Sequence, residues 1–339
     1  MSRLILKKRT FRLGIILVLM GLVGVFVLIG LSTGYSNVTW LDVSRILLGG
    51  GSANENLILY QFRLPRLVMG GLVGMGLATS GCLLQSISRN DLADPGILGI
   101  NVGAGIVVVL VYKYFPFITV QYPFVLPIAC FFGAFLIALL ICWLSFNQSQ
   151  GFSTMKMILI GIALSAAGNA FILVTSLKLN RATYVSFSTW NIGSISGATW
   201  DKIMILLPWI IILLPLAFFK SKELNALALG KDIATSLGLK VGLQQIILLM
   251  IAVALAAAGV SVAGAIGFIG LIAPHIARRL VGASHEFLLP TCALVGALIV
   301  IISDTLARTV FSPSEIPVGI VITVVGAPYF LYLLIKNKG

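Results

Sequence analysis

The sequence has 339 residues, of which 59% are hydrophobic and only 10% are charged. Soluble globular chains carry about 25% charged residues, so this composition excludes a soluble protein and indicates many membrane spans. The net charge of +13 could suggest nucleic-acid binding, but in a membrane protein an excess of Lys and Arg is better explained by loops retained inside the cell. We therefore expect contact with membrane lipid and none with nucleic acid.

The apolar runs are about 20 residues long, as in membrane helices, whereas a barrel would show alternating segments of roughly ten residues. The first run, Leu13–Leu31, follows a basic segment but is long and has no evident signal-peptide cleavage site. We predict an all-α integral membrane protein with about ten transmembrane helices, cytosolic N- and C-termini and a single domain over residues 1–339. The predicted spans are 13–31, 63–86, 96–112, 122–146, 154–177, 198–219, 242–266, 268–282, 286–308 and 315–335.

Two patterns support this topology. Of the 23 Lys and Arg residues, 15 lie in segments that it places in the cytosol and 8 lie in segments that it places outside, which is the bias of retained loops. A small-residue helix followed by Leu-Ala-x-Pro at Gly70–Pro95 has a weak echo at Ala252–Pro274. The two helices run in opposite directions in this topology, as in the inverted repeats of transporters.

A long polar interruption, Lys220–Lys240, carries leucines and alanines at helical spacing. Gly230 and Gly238 divide it, because glycine ends helices at little cost. The pattern predicts two short cytosolic helices that receive a mechanical push from an ATPase partner. An ordinary solvated loop is the alternative.

The residues argue against several other functions. Gly230-Lys231 is followed by Asp232 and lacks the upstream glycine of a phosphate-binding loop, so ATP-driven transport would need a separate ATPase chain. An ion-coupled secondary transporter would need buried carboxylates or histidines, which are scarce here. No catalytic constellation indicates an enzyme. The four cysteines have no metal-ligand spacing, and we expect them to be small buried residues, with no cofactor or metal site.

Several short motifs occur together between about residues 63 and 328. They are Arg63-Leu-Pro-Arg66; Ser80-Gly81 with Gln85; Asn90-Asp-Leu-Ala-Asp-Pro95 with Leu98-Gly99 and Gly103-Ala104; Ala228-Leu-Gly230 with Leu237-Gly238; Gly264–Leu271 with Pro274-His275; and Glu315-Ile-Pro317 with Gly319 and Gly326-Ala-Pro328. Jointly and in this order they resemble the FecCD type of permease subunit, found in ATP-binding-cassette importers for iron–siderophores, haem and cobalamin. Asp91 stands where the family usually has proline.

The resemblance implies a bacterial cell-membrane importer with several partners. Two permease subunits would form the pathway, two ATP-binding subunits would bind on the cytosolic side, and an extracytoplasmic protein would deliver the substrate. A ferric siderophore is the expected substrate, and haem or cobalamin is the alternative. The second permease could be another copy of this chain or a homologue.

The resemblance also assigns roles to residues. Docking of the binding protein falls on Arg63, Arg66 and Arg308, since guanidinium groups grip carboxylates in a bidentate manner; the alternative is that they anchor helix ends among lipid headgroups. Coupling to the ATPase falls on Leu224, Leu227, Gly230, Lys231, Asp232, Leu237 and Gly238. A cytosolic gate falls on Asn90, Leu92, Ser153 and Thr154, with simple helix capping as the alternative.

Overall fold

The computed structural model describes residues 2–34, 39–147, 151–152, 154–310, 312 and 314–336. Within these ranges the chain is almost entirely helical, and strands are confined to an antiparallel pair, β1 (Phe146–Asn147) and β2 (Gly151–Phe152). The α-helices are α1 (Ser2–Ser32), α2 (Trp40–Leu47), α3 (Ala53–Leu57), α4 (Leu64–Ser88), α5 (Ile100–Tyr114), α6 (Pro116–Gln121), α7 (Val125–Ser145), α8 (Thr154–Ser176), α9 (Arg181–Ile192), α10 (Trp200–Phe219), α11 (Ser221–Leu229), α12 (Lys231–Ser236), α13 (Val241–Ala263), α14 (Ile269–Val281), α15 (His285–Thr309) and α16 (Val318–Lys336).

The predicted all-α membrane fold is confirmed. Among the described residues, seven helical stretches are long and apolar enough to cross a membrane, and α5 and α16 are shorter apolar helices. Each of the ten predicted spans has a helix at its place in the chain. At about 1.5 Å per residue, the 13-residue helix α14 is about 20 Å long, shorter than the roughly 30 Å hydrocarbon core. The number of ten crossings and the cytosolic placement of both termini stay predictions.

The helix expected to open at Arg63 begins earlier, at Ala53. The hydroxyl of Ser52 accepts a hydrogen bond from the amide of Glu55, whose carboxylate accepts one from the amide of Ser52, so this capping box starts the helix. The chain then forms a π-helix, Ile58–Arg63, just before Pro65. Proline lacks an N–H and crowds the carbonyl of residue i−4 in a regular α-turn, so the wider turn lets the helix continue through it.

Helix α4 packs at the centre of the fold, and glycines permit its closest contacts. A Cβ atom on Gly74 would overlap the carbonyl of Gly296 on α15, and one on Gly81 would overlap the carbonyl of Gly270 on α14. Small residues at such crossings let helix backbones approach in lipid. Packed side chains thus give way here to direct backbone contact between α4 and its neighbours.

Helices α4 and α13, which carry the internal echo, run antiparallel. The hydroxyl of Ser80 donates to the carbonyl of Ala252 at 2.6 Å, whereas Gly76, one turn earlier on α4, lies beside Leu255. Falling residue numbers on α4 therefore meet rising numbers on α13. This is the relative direction that the ten-span topology predicts.

Four helices lie in segments for which the sequence predicted no structure. They are α2 and α3 in the expected polar stretch 32–62, and α6 and α9, each between two spans. The N-caps of α2, α3 and α9, which are Thr39, Ser52 and Asn180, each accept a backbone N–H three residues on. The Thr39/Asp42 and Ser52/Glu55 capping boxes could have been read from the sequence.

Candidate functional site

Two polar regions lie at opposite ends of the helix pair α4 and α15. Arg66 lies in the first turn of α4 and Ser86 in its last, which places them about 30 Å apart at 1.5 Å per residue. Helix α15 starts at His285 and ends just after Arg308. We call Arg63, Arg66, Asp304, Arg308 and Glu315 the arginine cluster, and α11 with α12 the 220–240 pair.

Arg66 is held by two carboxylates in the arginine cluster. Its Nε donates to Oδ1 of Asp304 at 2.8 Å, and its Nη1 donates to Oε2 of Glu315 at 2.7 Å. Asp304 is fully buried, whereas the side chain of Glu315 is 46% exposed. Charge-assisted bonds of this kind are the strongest hydrogen bonds of side chains, so Arg66 is fixed to one inner and one outer partner.

The other two arginines hold the end of α1. The Nε of Arg308 lies 3.2 Å from Oδ2 of Asp304, as the i, i+4 spacing predicts, and its Nη2 donates to the carbonyl of Gly30 at 3.2 Å. Arg63 donates from Nη1 to the carbonyl of Leu31. The last carbonyls of a helix have no partner within the helix and carry partial negative charge. Arg63 and Arg308 satisfy these groups.

The structure therefore brings together the three arginines expected to dock a binding protein, but it buries them. Arg63 is 5% exposed, and Arg66 and Arg308 are each 7% exposed. The exposed member of the cluster is Glu315. The docking role stays a prediction, and the contacts add a structural role, holding α1 and α15 together, that the sequence reading did not include.

The two short helices predicted between Lys220 and Lys240 are present. Gly230, with φ 129°, separates α11 from α12, and Gly238, with φ 83°, follows the end of α12. Residues that have a side chain rarely adopt these backbone angles, so glycine is required at both breaks.

The apolar residues of the 220–240 pair point in two directions. Leu224 and Leu227 are 0% and 3% exposed and pack in the core of this chain. Leu229, Ile233 and Leu237 are 62%, 50% and 63% exposed. Of the two predicted coupling leucines on α11, neither is available to a partner, whereas Leu237 is.

The charged and glycine residues of the predicted coupling set are accessible. Lys231, Asp232 and Gly238 are exposed, and Gly230 is half-buried between the two helices. The outer face of the pair therefore combines three large apolar side chains with charged neighbours. Leu229 and Ile233, which sequence reasoning missed, belong to this face.

A hydrogen-bond network that the sequence reading missed attaches α11 to the helix pair α4 and α15. Oδ1 of Asn225 accepts from the backbone amide of His285 at 2.9 Å and lies 2.8 Å from its Nδ1. Nε2 of His285 lies 2.7 Å from the hydroxyl of Ser86. Arg89 adds a bond from its Nη2 to the carbonyl of Leu227 at 2.6 Å.

The turn predicted to form part of a gate follows α4 directly. Arg89 ends the helix in a left-handed conformation, with φ 51°, and Oδ1 of Asn90 accepts from the amide of Leu92 at 2.9 Å. Asp91, the departure from the family pattern, pairs with Arg278 at 3.0 Å. Asn90 thus stabilises its own turn, whose exposed side chains are Asp91 and the 37% exposed Leu92.

The remaining gate candidates lie at the start of α8. Ser153 is outside the described residues, and Thr154 is the first residue of α8. A cavity of about 130 Å³ lies between the end of α4, α8 and the 220–240 pair. Its lining includes Arg89, Met157 and Lys231, so the end of α4 and the first turn of α8 border the same space, next to the predicted gate turn.

The four cysteines are buried and unpaired by disulfides, as expected of small apolar residues. Over the described part of the chain, no three His, Cys, Asp or Glu residues lie close enough together to hold a metal ion.

Comparison with known proteins extends the resemblance over nearly the whole chain. The model of the FecCD transport family matches residues 21–336. The chain is 44% identical over 319 residues to the iron(3+)-hydroxamate import system permease protein of Bacillus subtilis, covering 93% of this chain and 94% of that one. It is 35% identical over 319 residues to the hemin transport system permease protein of Yersinia pestis, covering 92% and 93%.

A solved structure agrees with the fold. It is an inward-facing conformation of a metal-chelate type ABC transporter, with a TM-score of 0.82 and 30% identity, over 95% of this chain and 99% of that one. Permeases of this kind are multi-pass proteins of the bacterial inner membrane and work with ATPase and binding-protein partners. The chain belongs to the FecCD transport family and is a permease subunit of an ABC importer rather than an enzyme.

Proposed function

We propose that the chain forms, with a second permease subunit, the membrane pathway for a ferric siderophore of the hydroxamate class. The carrying observation is the 44% identity, over almost the full length of both chains, to the Bacillus subtilis permease named for iron(3+)-hydroxamate import. The relative named for hemin transport is more distant, at 35% identity. Haem is therefore the second candidate, and the second permease is another copy of this chain or a homologue.

Two ATP-binding subunits would contact the 220–240 pair. Leu229, Ile233 and Leu237 present large apolar side chains on two short polar helices, and such a cluster is costly to leave in water. Burial of one such side chain is worth about 1.5–3 kcal/mol. A groove on the ATPase would cover this face, and Lys231 and Asp232 would lie at its rim. Leu224 and Leu227 would act from inside, by fixing α11 to this chain.

At the arginine cluster, the binding protein would dock by replacing Glu315. Arg66 already holds one exposed carboxylate, at 2.7 Å, so an incoming glutamate would find a guanidinium group oriented for it. Exchange of one carboxylate for another keeps Arg66 paired throughout, which permits release after delivery. Arg63 and Arg308 would contribute positive charge while they hold α1.

The turn Asn90–Leu92 and the start of α8 at Ser153-Thr154 would close the cytosolic mouth of the pathway. Small polar side chains and one leucine could block a wide passage without gripping the substrate. Cysteine pairs at Thr154 of the two permease subunits should block uptake when cross-linked. Uptake that continues through fully cross-linked protein would contradict a gate at this position.

The experiment that tests the substrate is uptake of radioactive iron in a strain lacking the chain. Ferric hydroxamate, ferric citrate and hemin are supplied separately, and the strain is complemented with the chain or with an empty vector. We expect restored uptake for the ferric hydroxamate. Restored use of hemin alone would replace hydroxamate by haem as the substrate. Restored uptake of ferric citrate alone, or of none of the three compounds, would refute the proposal.

A further inference from the structure

We propose that α4 and α15 act as one rigid strut between the two faces of the permease, and that Asn225, His285 and Ser86 are positioning residues that attach the strut to α11. The proposal rests on the proposed contact between the 220–240 pair and an ATPase. It adds the route by which movement of that pair reaches the arginine cluster, about 30 Å away.

The attachment has one consistent assignment of hydrogens. The backbone amide of His285 is a donor, so the atom of Asn225 that lies 2.9 Å from it must be the carbonyl oxygen. That oxygen only accepts, so Nδ1 of His285, at 2.8 Å, must carry a proton. In the neutral ring Nε2 is then an acceptor. The hydroxyl of Ser86 also lies 2.8 Å from the carbonyl of Cys82, but its single proton goes to Nε2, at 2.7 Å, because Nε2 has no other donor in this assignment. Three elements are joined without an unsatisfied group among these atoms.

The attachment joins α11 to both members of the strut. His285 is the first residue of α15 and is 4% exposed, and Ser86 lies in the last turn of α4. Arg89, just beyond α4, donates to the carbonyl of Leu227, which lies in the last turn of α11. A displacement of α11 therefore acts directly on α15 at His285 and on the end of α4 at Arg89, and His285 passes it to α4 a second time through Ser86.

Between its two ends the strut has little freedom to slide. A Cβ atom on Gly74 would overlap the backbone of α15 at Gly296, and one on Gly296 would overlap Gly74 and Ala78. The thiol of Cys292 donates to the carbonyl of Ala78 at 3.2 Å. At the far end the Arg66–Asp304 pair joins the same two helices. Packed interfaces of this kind move as units rather than deforming continuously.

Coupling through such a unit is reciprocal for binding: if the binding protein changes the affinity for nucleotide, nucleotide changes the affinity for the binding protein by the same factor. The ATPase rate need not change by that factor, but it depends on the same rigid unit. Loss of the attachment should reduce both effects together. A purely structural role for Asn225 and His285 would lower the amount of folded protein but would leave these ratios unchanged in the complexes that assemble.

The test uses the whole importer, with ATPase subunits, in lipid nanodiscs with purified substrate-loaded binding protein. Two ratios are measured: ATPase rate with and without the binding protein, and binding-protein affinity with and without a non-hydrolysable ATP analogue. Ser86→Ala removes one hydroxyl, and Asn225→Ala removes the shared acceptor. Asn225→Asp keeps an acceptor for both N–H groups of His285. Ser186→Ala, which removes an exposed hydroxyl on α9 that bonds only within its own helix, is the matched control.

We expect both ratios to fall at least fivefold in Ser86→Ala and Asn225→Ala, and to be retained in Asn225→Asp and Ser186→Ala. Unchanged ratios in assembled Ser86→Ala and Asn225→Ala complexes would overturn the proposal, as would an equal fall in Ser186→Ala. Leu237→Asp tests the proposed contact between the 220–240 pair and the ATPase on its own. If the ATPase still co-purifies with that variant, this contact is wrong, whatever the two ratios show.

Discussion

Asp304 is the residue on which the arginine cluster depends most. Its side chain is fully buried, and it faces Arg66 and Arg308, whose side chains are only 9% and 6% exposed. Asp304→Asn keeps the shape but removes the negative charge from between two buried guanidinium groups. The amide nitrogen of the new side chain would also face an arginine N–H, a donor against a donor.

Removal of one partner from a buried ion pair costs about 3–5 kcal/mol, because it leaves a charge without compensation. We expect Asp304→Asn to lower the free energy of unfolding by at least about 3 kcal/mol. Asp201→Asn, at an exposed carboxylate in the first turn of α10, changes the net charge equally and should cost less than about 1 kcal/mol.

The assay is unfolding in mixed micelles with a denaturing detergent, followed by helical circular dichroism. A double-mutant cycle with Arg66→Gln isolates the pair, and the double variant should be more stable than the sum of the single losses by about 1–3 kcal/mol. A loss below about 1 kcal/mol for Asp304→Asn, or strict additivity in the cycle, would refute the view that this ion pair holds the helix ends together. The result also affects how docking is tested. Charge reversal at Arg66 would disrupt the fold, so a loss of transport in that variant would not by itself indicate lost contact with the binding protein.

Three further predictions concern the exposed end of the arginine cluster, the glycines of the 220–240 pair and a buried carboxyl group. Glu315→Ala should tighten association with the binding protein several-fold, because it removes the carboxylate that competes for Arg66; weaker or unchanged binding by surface plasmon resonance would contradict the exchange. Valine at Gly230 and Gly238 should each cost about 1–3 kcal/mol of local strain and should uncouple ATP hydrolysis from uptake in proteoliposomes, whereas a normal ratio of ATP to substrate would argue against it. Burial raises the pKa of Asp94 from 3.8 to about 6, so the folded protein keeps this proton while the unfolded chain has released it. Stability should therefore fall as pH rises through that window, on the order of 3 kcal/mol by pH 7.5, and Asp94→Asn should remove that dependence from the thermal unfolding temperature.

Hydrophobic runs and glycine breaks were sufficient to predict the helices of the membrane region. Leu13–Leu31 lies within α1, and Gly230 and Gly238 lie at the ends of the two short helices. α4 begins at Leu64, one residue from the predicted Arg63, but the helical stretch before it was missed. Pro65 usually opens a helix, whereas here it follows a π-helix, Ile58–Arg63, that continues the stretch from α3. Proline fixes the backbone angle φ, but its presence does not show whether the chain starts a helix there or continues one.

The facing of the 220–240 pair could not be predicted from spacing. Periodicity indicates that Leu224 and Leu227 share a side of α11, but not whether that side meets this chain or a partner. In the structure this side of α11 packs in the chain's own core, whereas Leu229 and Leu237 are exposed. A stripe of apolar residues on a short cytosolic helix is therefore ambiguous until the neighbouring helices are placed.

The polar contacts at both ends of the strut were beyond sequence reasoning for a different reason. Asn225 and His285 are 60 residues apart, and Arg66 and Asp304 are 238 apart, so no local pattern joins them. Their placement nevertheless has a physical logic. A buried polar group in hydrocarbon needs a partner, and partners are easiest to supply at helix ends, where backbone groups are also free. Between those ends, α4 and α15 meet at Gly74 and Gly296 by backbone contact. In the strut that we propose, communication between the two faces passes through the rigidity of these packed helices, and the polar residues at each end determine what the rigid unit is attached to.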